Sequence, residues 1–208
     1  MIRKRESKLK TKEEPKKEET SIQIPAMDIA IFKLNIRGTS PLICHKFSNN
    51  AKEMMLTPKD KKVSSAKRAP RNPEESFRES LYPIPGKKNA FGFPASGFKK
   101  AAVSACRQLD GINMTFVRGA FFVMGDLVEI DGTPTMREDM VRLNGQKADI
   151  RYRAEFKTWS AQLSIRYNKG SISIPQIVNL MNIAGFSVGV GEWRPERNGA
   201  FGMFEVEV

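Results

Sequence analysis

Two neighbouring runs of alternating apolar and polar residues constrain the fold of this chain most strongly. The apolar residues are Ile150, Tyr152, Ala154 and Phe156 in the first run, and Ala161, Leu163, Ile165 and Tyr167 in the second. A period of two predicts β-strands with one buried face. The apolar parity shifts by one residue at positions 158–160, which predicts a bulge or a tight turn between the two strands.

The sequence before this pair predicts a strand, a helix and more strand. Residues 28–37 alternate loosely and are closed by Gly38. A helix follows, with Ser96 as its cap and Gly111 as its end. Its apolar positions have helical spacing: Phe98, Ala102, Ala105, Cys106 and Leu109. Residues 114–130 are rich in Phe and Val and predict one or two strands.

The sequence after the pair predicts a second helix and a last strand. Ser173 and Pro175 are typical of a helix start, and Gly185 is the predicted stop. The buried stripe of this helix is predicted to be Ile177, Leu180, Met181 and Ala184. An alternating segment at 203–208 ends the chain. The element order predicts an α+β fold with a ferredoxin-like (RRM-like) βαββαβ core.

The charge of the chain favours a polyanionic partner. The 208 residues contain 35 Lys and Arg against 23 Asp and Glu, a net charge of +12. Residues 1–25 carry +3 of this and lack a core pattern, so we predict a disordered tail before a single domain at 26–208. The predicted domain alone has a net charge of +9, which suits a nucleic acid or an anionic membrane as partner.

Several protein classes are excluded by composition. No apolar run approaches the roughly 18 residues that span a bilayer, and the charged N-terminus does not resemble a signal peptide. Two cysteines are too few for a disulfide framework or a zinc cluster. We therefore expect a soluble cytoplasmic protein that does not bind membranes and requires neither a metal nor another cofactor.

Residues 48–89 form a long insertion between the first strand and the first helix. From Lys46 to Arg71 the segment carries a net charge of +6. A loop of this length is generally functional or disordered. It is interpreted either as a solvated insertion or as a basic arm that closes over a bound strand. The candidate binding residues of the arm are Lys46, Lys61, Lys62, Lys67 and Arg68.

The segment GVGEWRPERNGAFG, at 189–202, has the composition of a phosphate-binding loop. Its glycines are Gly189, Gly191, Gly199 and Gly202, and they bracket Arg194 and Arg197. Glycines allow a backbone to approach a ligand closely, and exposed amides beside arginines can hold phosphate. Trp193 is the stacking candidate, or alternatively an anchor on the core. The other interpretation of the segment is a plain glycine-rich turn before a strand.

Further cations are placed on predicted helices and strands. Around the first helix the candidate binding residues are Ser96, Lys99, Lys100 and Arg107. On the alternating strands the candidates are Arg151, Arg153 and Arg166. A row of cations on a sheet face suits phosphate contacts, whereas Tyr152 and Tyr167 belong to the apolar sets and are expected in the core.

These motifs resemble those of the RAMP superfamily of CRISPR-associated RNA-binding proteins. The G-x-G…G-x-x-G loop before the last strand and the segment FPASGFKKAAVSA carry the resemblance. It is nearest to the backbone subunits of CRISPR effector complexes, or to a virus-encoded relative. The resemblance implies that the loop and the helix start grip RNA, that the insertion is a finger or thumb reaching a neighbouring subunit, and that the protein oligomerises along RNA.

Residues with the chemistry of catalysis are few. His45 is the only histidine, and no second histidine can serve as a complementary acid. Cys44 is interpreted as a core residue, and the carboxylates at 129–139 as a solvated loop. We therefore predict a non-enzymatic protein that binds single-stranded RNA as an oligomer or with neighbouring effector subunits. The alternatives are a sequence-tolerant single-stranded DNA-binding protein of a virus or mobile element, and a metal-independent RNA endonuclease that uses His45.

Overall fold

The computed structural model describes residues 24–47, 56, 72–143 and 147–207. Within them the chain forms helices and two antiparallel sheets, so the predicted mixture of helix and strand is confirmed. The helices are α1 (Pro73–Ser80), α2 (Ala95–Ala105), α3 (Met114–Ala120) and α4 (Ile174–Ser187). No helix of these ranges is long and apolar enough to cross a bilayer.

The larger sheet has seven strands. In chain order they are β1 (Ile29–Gly38), β3 (Tyr82–Pro83), β4 (Phe91–Pro94), β5 (Phe121–Val123), β6 (Leu127–Asp131), β9 (Ser160–Asn168) and β10 (Phe204–Val206). β1 pairs with β10 on one side and with β9 on the other. The far edge of β9 is shared by β5 and β6, and β4 and β3 follow β6.

The smaller sheet has three strands, in the order β2 (Leu42–Cys44), β8 (Lys147–Phe156) and β7 (Pro134–Leu143). The two alternating runs of the sequence therefore belong to different sheets. Trp159 lies at the crossing between them, is 4% exposed, and donates its indole N–H to the carbonyl of Ser40 at 2.8 Å. The parity shift thus marks a change of sheet and not a turn between paired strands.

The main core lies between the larger sheet and helices α2 and α4. The predicted inward residues of β9 are all buried, as is the predicted stripe of α4. Ser173 and Gln176 form a reciprocal capping box at the start of α4, which confirms the predicted helix start. Gly185 is not the stop, because the helix continues to Ser187; the carbonyl of Phe204 in β10 approaches Gly185 where a side chain would stand.

Two local predictions for the first half were wrong. Residues 114–120 form helix α3, because the Asn113 side chain accepts the N–H of Phe116 at 2.7 Å and caps it. This cap outweighs the β-propensity of Phe116 and Val117. Ser96 is not a cap, since α2 already begins at Ala95, and this helix ends at Ala105, well before Gly111.

Part of the predicted insertion is folded. At 72–89 the chain forms α1 and β3, and the buried Ser80 hydroxyl of α1 accepts the N–H of Ala154 in β8 at 2.8 Å. The candidate residues Lys61, Lys62, Lys67 and Arg68 lie outside the described residues, as do residues 1–23 of the predicted tail.

Candidate nucleic-acid interface

A groove of about 260 Å³ lies between α2 and the glycine-rich segment. We call it the α2 groove. Its lining comes from separate parts of the chain: His45, Tyr82, Phe93, Gly97, Lys100, Ala101, Ser104, residues 188–192, Arg194 and Glu196. The structure therefore brings the predicted helix and the predicted loop to one site. Another depression, beside α1, is lined by Glu74, Glu75 and Glu79, whose carboxylates disfavour a polyanion.

The backbone amides of the glycine-rich segment are mostly used within the protein. Val190 donates its N–H to the carbonyl of Gly202 at 2.9 Å, and Glu192 donates to Ile43 at 3.0 Å. Phe201 and Gly202 donate to the carbonyls of Trp193 and Pro41. These donors are not available to a phosphate. The predicted cradle of exposed amides is therefore absent at these four positions, and any ligand must be held mainly by side chains.

The glycines allow this segment to pack closely. Gly191 has φ +79°, and a side chain there would meet the carbonyl oxygen of Ile43 at 2.5 Å. Gly202 has φ +66°, and its side chain would overlap the carbonyl of Val190 at 1.7 Å. Gly189 and Gly199 are similarly enclosed by Pro195 and Trp193. The glycine pattern thus reflects close approach of backbone to backbone, and the predicted phosphate approach is not its cause.

Arg194 helps to hold the segment in shape. Its guanidinium donates to Glu196 Oε2 at 2.8 and 3.2 Å and to the Gly191 carbonyl at 3.1 Å. Arg194 lowers the pKa of the Glu196 carboxyl, as does a hydrogen bond from Ser104 of α2, although burial is the largest single effect and opposes them. Arg194 and Glu196 therefore fasten the loop to α2, and Arg194 is partly occupied before any ligand arrives.

Trp193 is an anchor rather than a free stacking surface. Its φ of +51° is unusual for a large residue. The ring lies 6.0 Å from that of Phe201, and the guanidinium carbons of Arg137 and Arg153 lie 5.4 and 5.2 Å from its centroid. These cation–π contacts hold the loop against the smaller sheet. They supply the support that the strained backbone requires.

A group of four charges, three of them buried, lies behind this anchor. Arg137 donates to Asp139 Oδ1 at 2.8 Å and to Glu155 Oε1 at 2.7 Å. Arg153 Nη1 lies 3.6 Å from Asp139 Oδ2. Arg153 is only 2% exposed, so it does not belong to an exposed row of cations as predicted. The reason is that the aromatic loop covers this face of β8.

Lys99 is also occupied by the fold. Its ammonium donates to the carbonyls of Val117 and Phe121 and lies 3.9 Å from the centroid of the Phe121 ring. Partial burial lowers the pKa of Lys99 to about 8. Lys99 therefore joins α2 to α3 and β5, and the prediction that it contacts nucleic acid does not fit this position.

We predict that replacing Lys99 with methionine changes the alkaline stability profile. Because the folded-state pKa of Lys99 is lowered to about 8 from 10.5, the unfolded chain binds more protons between these values. The titration of Lys99 therefore raises the free energy of unfolding of the wild type as the pH increases from 8 to 10.5. Urea titrations across this range should show that rise in the difference between wild type and Lys99→Met. Lys100→Met, which changes the exposed neighbouring lysine, serves as the control. If the free energies of unfolding of wild type and Lys99→Met run parallel across this pH range, the lowered pKa of Lys99 is contradicted.

Three exposed cations remain at the rim of the groove. Lys100 lines the groove, and Arg107 of the turn after α2 lies 4.0 Å from Glu196 Oε1 with its side chain 65% exposed. Arg197 follows Glu196 and is exposed. Lys46 follows His45 and is partly exposed. These side chains are placed where a polyanion could contact them.

The other predicted strand cations lie elsewhere. Arg166 of β9 is exposed and is paired in register with Ile31 of β1 and Phe122 of β5. This face of the sheet is opposite to the one that carries α2. Arg151 lies 3.8 Å from Asp149 in the smaller sheet. The structure therefore separates Arg166 from the glycine-rich segment, whereas Arg151 and Arg153 lie close enough to Glu192 of that segment to lower its pKa.

The floor of the groove contains residues that the motifs did not predict. Glu192 Oε1 lies 3.8 Å from His45 Nδ1. Proximity to His45 lowers the pKa of Glu192, burial opposes the shift, and Arg153 adds to it. Tyr82 is half-buried and packs edge-on against Phe93, with 6.1 Å between ring centroids. Glu192 belongs to the glycine-rich segment, so its place in the sequence could have suggested it as a site residue. No sequence pattern could have suggested Tyr82, because only the tertiary fold brings it to the groove.

The Cys44 thiol, which precedes His45 in the chain, is unsuited to nucleophilic chemistry. Burial raises the pKa of the Cys44 thiol to about 12, so it stays protonated in the core as predicted. Within the described ranges, no three His, Cys, Asp or Glu side chains lie close enough to form a metal site.

Comparison with known proteins gives distant structural neighbours. No protein-family model and no curated protein matches the chain. The chain is similar to the crystal structure of Cmr6 from Pyrococcus furiosus, with 9% identity, a TM-score of 0.45, and coverage of 86% of this chain and 98% of that one. It is also similar to a chain in the cryo-EM structure of the type III-B Cmr-beta complex bound to cognate target RNA, with 13% identity and a TM-score of 0.48. That match covers 86% of this chain and 59% of the other.

The two neighbours are thus Cmr6 and a chain of the type III-B Cmr-beta complex. At these identities and TM-scores they are remote neighbours. The function proposed for this chain therefore depends on its own residues.

Proposed function

We propose that this protein binds single-stranded RNA without cleaving it, as a RAMP-type subunit of a ribonucleoprotein. The observation that carries the proposal is the α2 groove, where α2 and the glycine-rich segment meet beside exposed cations. The order β10–β1–β9–β5, with α2 and α4 on one face, supports a ferredoxin-like core. We further propose an oligomeric assembly along the RNA or with neighbouring effector subunits.

The positions of the charged side chains determine how an RNA strand would lie in the groove. Glu192 and Glu196 are among the residues that line the groove, and their carboxylates repel phosphate. Lys100, Arg107 and Arg197 lie at the rim and attract it. A nucleotide strand therefore fits with its phosphates along the rim and one base turned inward. Tyr82 offers that base an aromatic wall, a mode of contact typical of single strands.

Loss of the rim cations is expected to weaken RNA binding and its salt dependence together. Each phosphate contact to a single strand contributes a slope of about 0.7 in log K against log salt. The double variant Lys100→Ala/Arg107→Ala should therefore bind an RNA oligonucleotide on the order of tenfold more weakly, with a slope lower by about 1.4. Fluorescence anisotropy with labelled RNA over a series of salt concentrations measures both quantities.

The matched control removes two cations from the opposite face of the sheet. Lys33→Ala/Arg166→Ala has the same net charge as the rim variant. If the control weakens binding as strongly as the rim variant, the RNA surface is on the sheet face and the proposal is wrong. Preference for a DNA oligonucleotide of the same sequence would favour the single-stranded DNA alternative. RNA recovered from the titration should be intact; cleavage that disappears in His45→Ala would favour the endonuclease.

A further inference from the structure

Two carboxylates that line the α2 groove, those of Glu192 and Glu196, differ in how far other side chains already engage them. Glu192 presents a carboxylate to the groove, with its side chain 40% exposed. Its backbone is fixed, because its N–H donates to the Ile43 carbonyl at 3.0 Å. The Glu196 carboxylate, in contrast, is already engaged by Arg194 and by Ser104. Glu192, whose Oε1 lies 3.8 Å from His45 Nδ1, is therefore the less engaged of the two carboxylates and the one that a ligand in the groove can reach.

The Glu192 side chain remains an acceptor under ordinary conditions. Its pKa is lowered by His45 first, against the effect of burial, and by Arg153 behind it. An ionised carboxylate only accepts hydrogen bonds, and its two oxygens can accept two parallel ones. A ligand group that satisfies it must offer two adjacent donors.

Tyr82 determines which class of ligand fits beside this carboxylate. Its ring is half-buried, packs edge-on against Phe93, and belongs to the lining of the groove. Burial is the main reason why the pKa of the phenol is raised, and the ring therefore stays neutral. A neutral aromatic wall beside an acceptor pair suits a flat heterocycle with a donor edge. The volume of about 260 Å³ is below the usual range for a drug-sized ligand and suits a single base.

We infer that the α2 groove selects guanine, by stacking it against Tyr82 and accepting its N1–H and N2–H groups on the Glu192 carboxylate. This inference rests on the proposed function and adds base selectivity to it. On its pairing edge guanine has two neighbouring donors. Adenine and cytosine place an acceptor beside their amino group, and uracil has one N–H between two acceptors. Each of these three would set an acceptor against the carboxylate, and an unmatched buried acceptor is costly.

Base substitution in one RNA provides the test. Uridine octamers carrying a single central guanine, adenine or inosine would be titrated against the full chain by fluorescence anisotropy at one fixed salt concentration. A bidentate base contact predicts guanine bound about tenfold more tightly than adenine. Inosine keeps N1–H but lacks the amino group, so its affinity should lie between the two.

The variant Glu192→Gln tests the residue itself. A glutamine amide has one acceptor and one donor end and cannot accept both guanine donors. The ratio of guanine to adenine affinity should fall to near one in a variant that still shows a cooperative melting transition. Glu205→Gln makes the same change at the exposed middle residue of β10 and should keep the wild-type ratio.

The possible outcomes distinguish the guanine inference from the proposed function. Binding of RNA by wild type with equal affinity for guanine and adenine overturns the guanine inference and leaves the proposed function standing. Failure to bind any of the octamers overturns the proposed function. An unchanged ratio in folded Glu192→Gln assigns the selectivity to another residue and also overturns the inference. The comparison of bases uses wild-type protein, so it does not depend on the folding of a variant.

Discussion

Replacing Asp139 with alanine is expected to lower the free energy of unfolding by about 3–5 kcal/mol, the usual result of removing one partner from a buried ion pair. Asp139 is 6% exposed and accepts from Arg137 at 2.8 Å, while its other oxygen faces Arg153 at 3.6 Å. Arg153 is 2% exposed, and within the described residues its Nε and Nη1 have no hydrogen-bond partner. Loss of Asp139 would leave this guanidinium buried without its nearest carboxylate.

Urea denaturation monitored by tryptophan fluorescence measures this effect. Glu138→Ala is the matched control, since Glu138 is the preceding residue of β7 and is exposed. The control should cost less than about 1 kcal/mol. A double variant, Asp139→Leu/Arg153→Met, removes both charges and should be more stable than Asp139→Ala. If Asp139→Ala is as stable as Glu138→Ala, the four charges do not act as a buried group.

The variant Gly202→Ala should be the most damaging single methyl addition in the glycine-rich segment. The residue has φ +66°, and the added carbon would stand 1.7 Å from the carbonyl oxygen of Val190. Backbone strain and steric overlap each cost about 1–3 kcal/mol, so a loss of about 3 kcal/mol or more is expected. RNA affinity should fall as well, because Val190 and its neighbours line the α2 groove.

The variant Gly86→Ala separates the cost of the backbone conformation from the cost of the steric overlap. Gly86 has φ +79°, close to that of Gly202, but nothing lies within 4 Å of the added carbon. This variant should therefore show the cost of backbone conformation alone, about 1 kcal/mol. Thermal melts of both variants measure the difference. Equal losses would mean that the loop relaxes around the new methyl group.

The parts of the fold that the sequence predicted are those in which one face is buried and the other exposed. β9 and α4 meet this condition, and their buried residues were predicted from period alone. β8 does not meet it, because Arg153, Ala154, Glu155 and Phe156 are all buried. Alternation assigned Arg153 to solvent, since no local pattern shows that a distant aromatic loop covers the polar side of a strand.

The candidate site was predicted in its location but not in its chemistry. The glycines and α2 do meet, yet the glycines serve backbone packing, and three of the predicted cations are used by the fold: Lys99, Arg153 and Arg194. The residues to which we attribute base selectivity in our inference are Tyr82 and Glu192. Neither belongs to a periodic pattern, because their proximity comes from contacts between segments more than 100 residues apart in the chain.

The α2 groove is assembled from separate segments of the chain: the residue after β2, the start of β3, the end of β4 with α2, and the glycine-rich loop. None of them can offer the site without the others, so the binding-competent state and the folded state are the same state. A ligand that occupies the groove therefore acts as a non-covalent cross-link across the whole domain. At 100 times its dissociation constant it would add about 2.7 kcal/mol to the folded state by mass action. If the groove binds RNA as proposed, a higher RNA concentration therefore raises the stability of the folded chain.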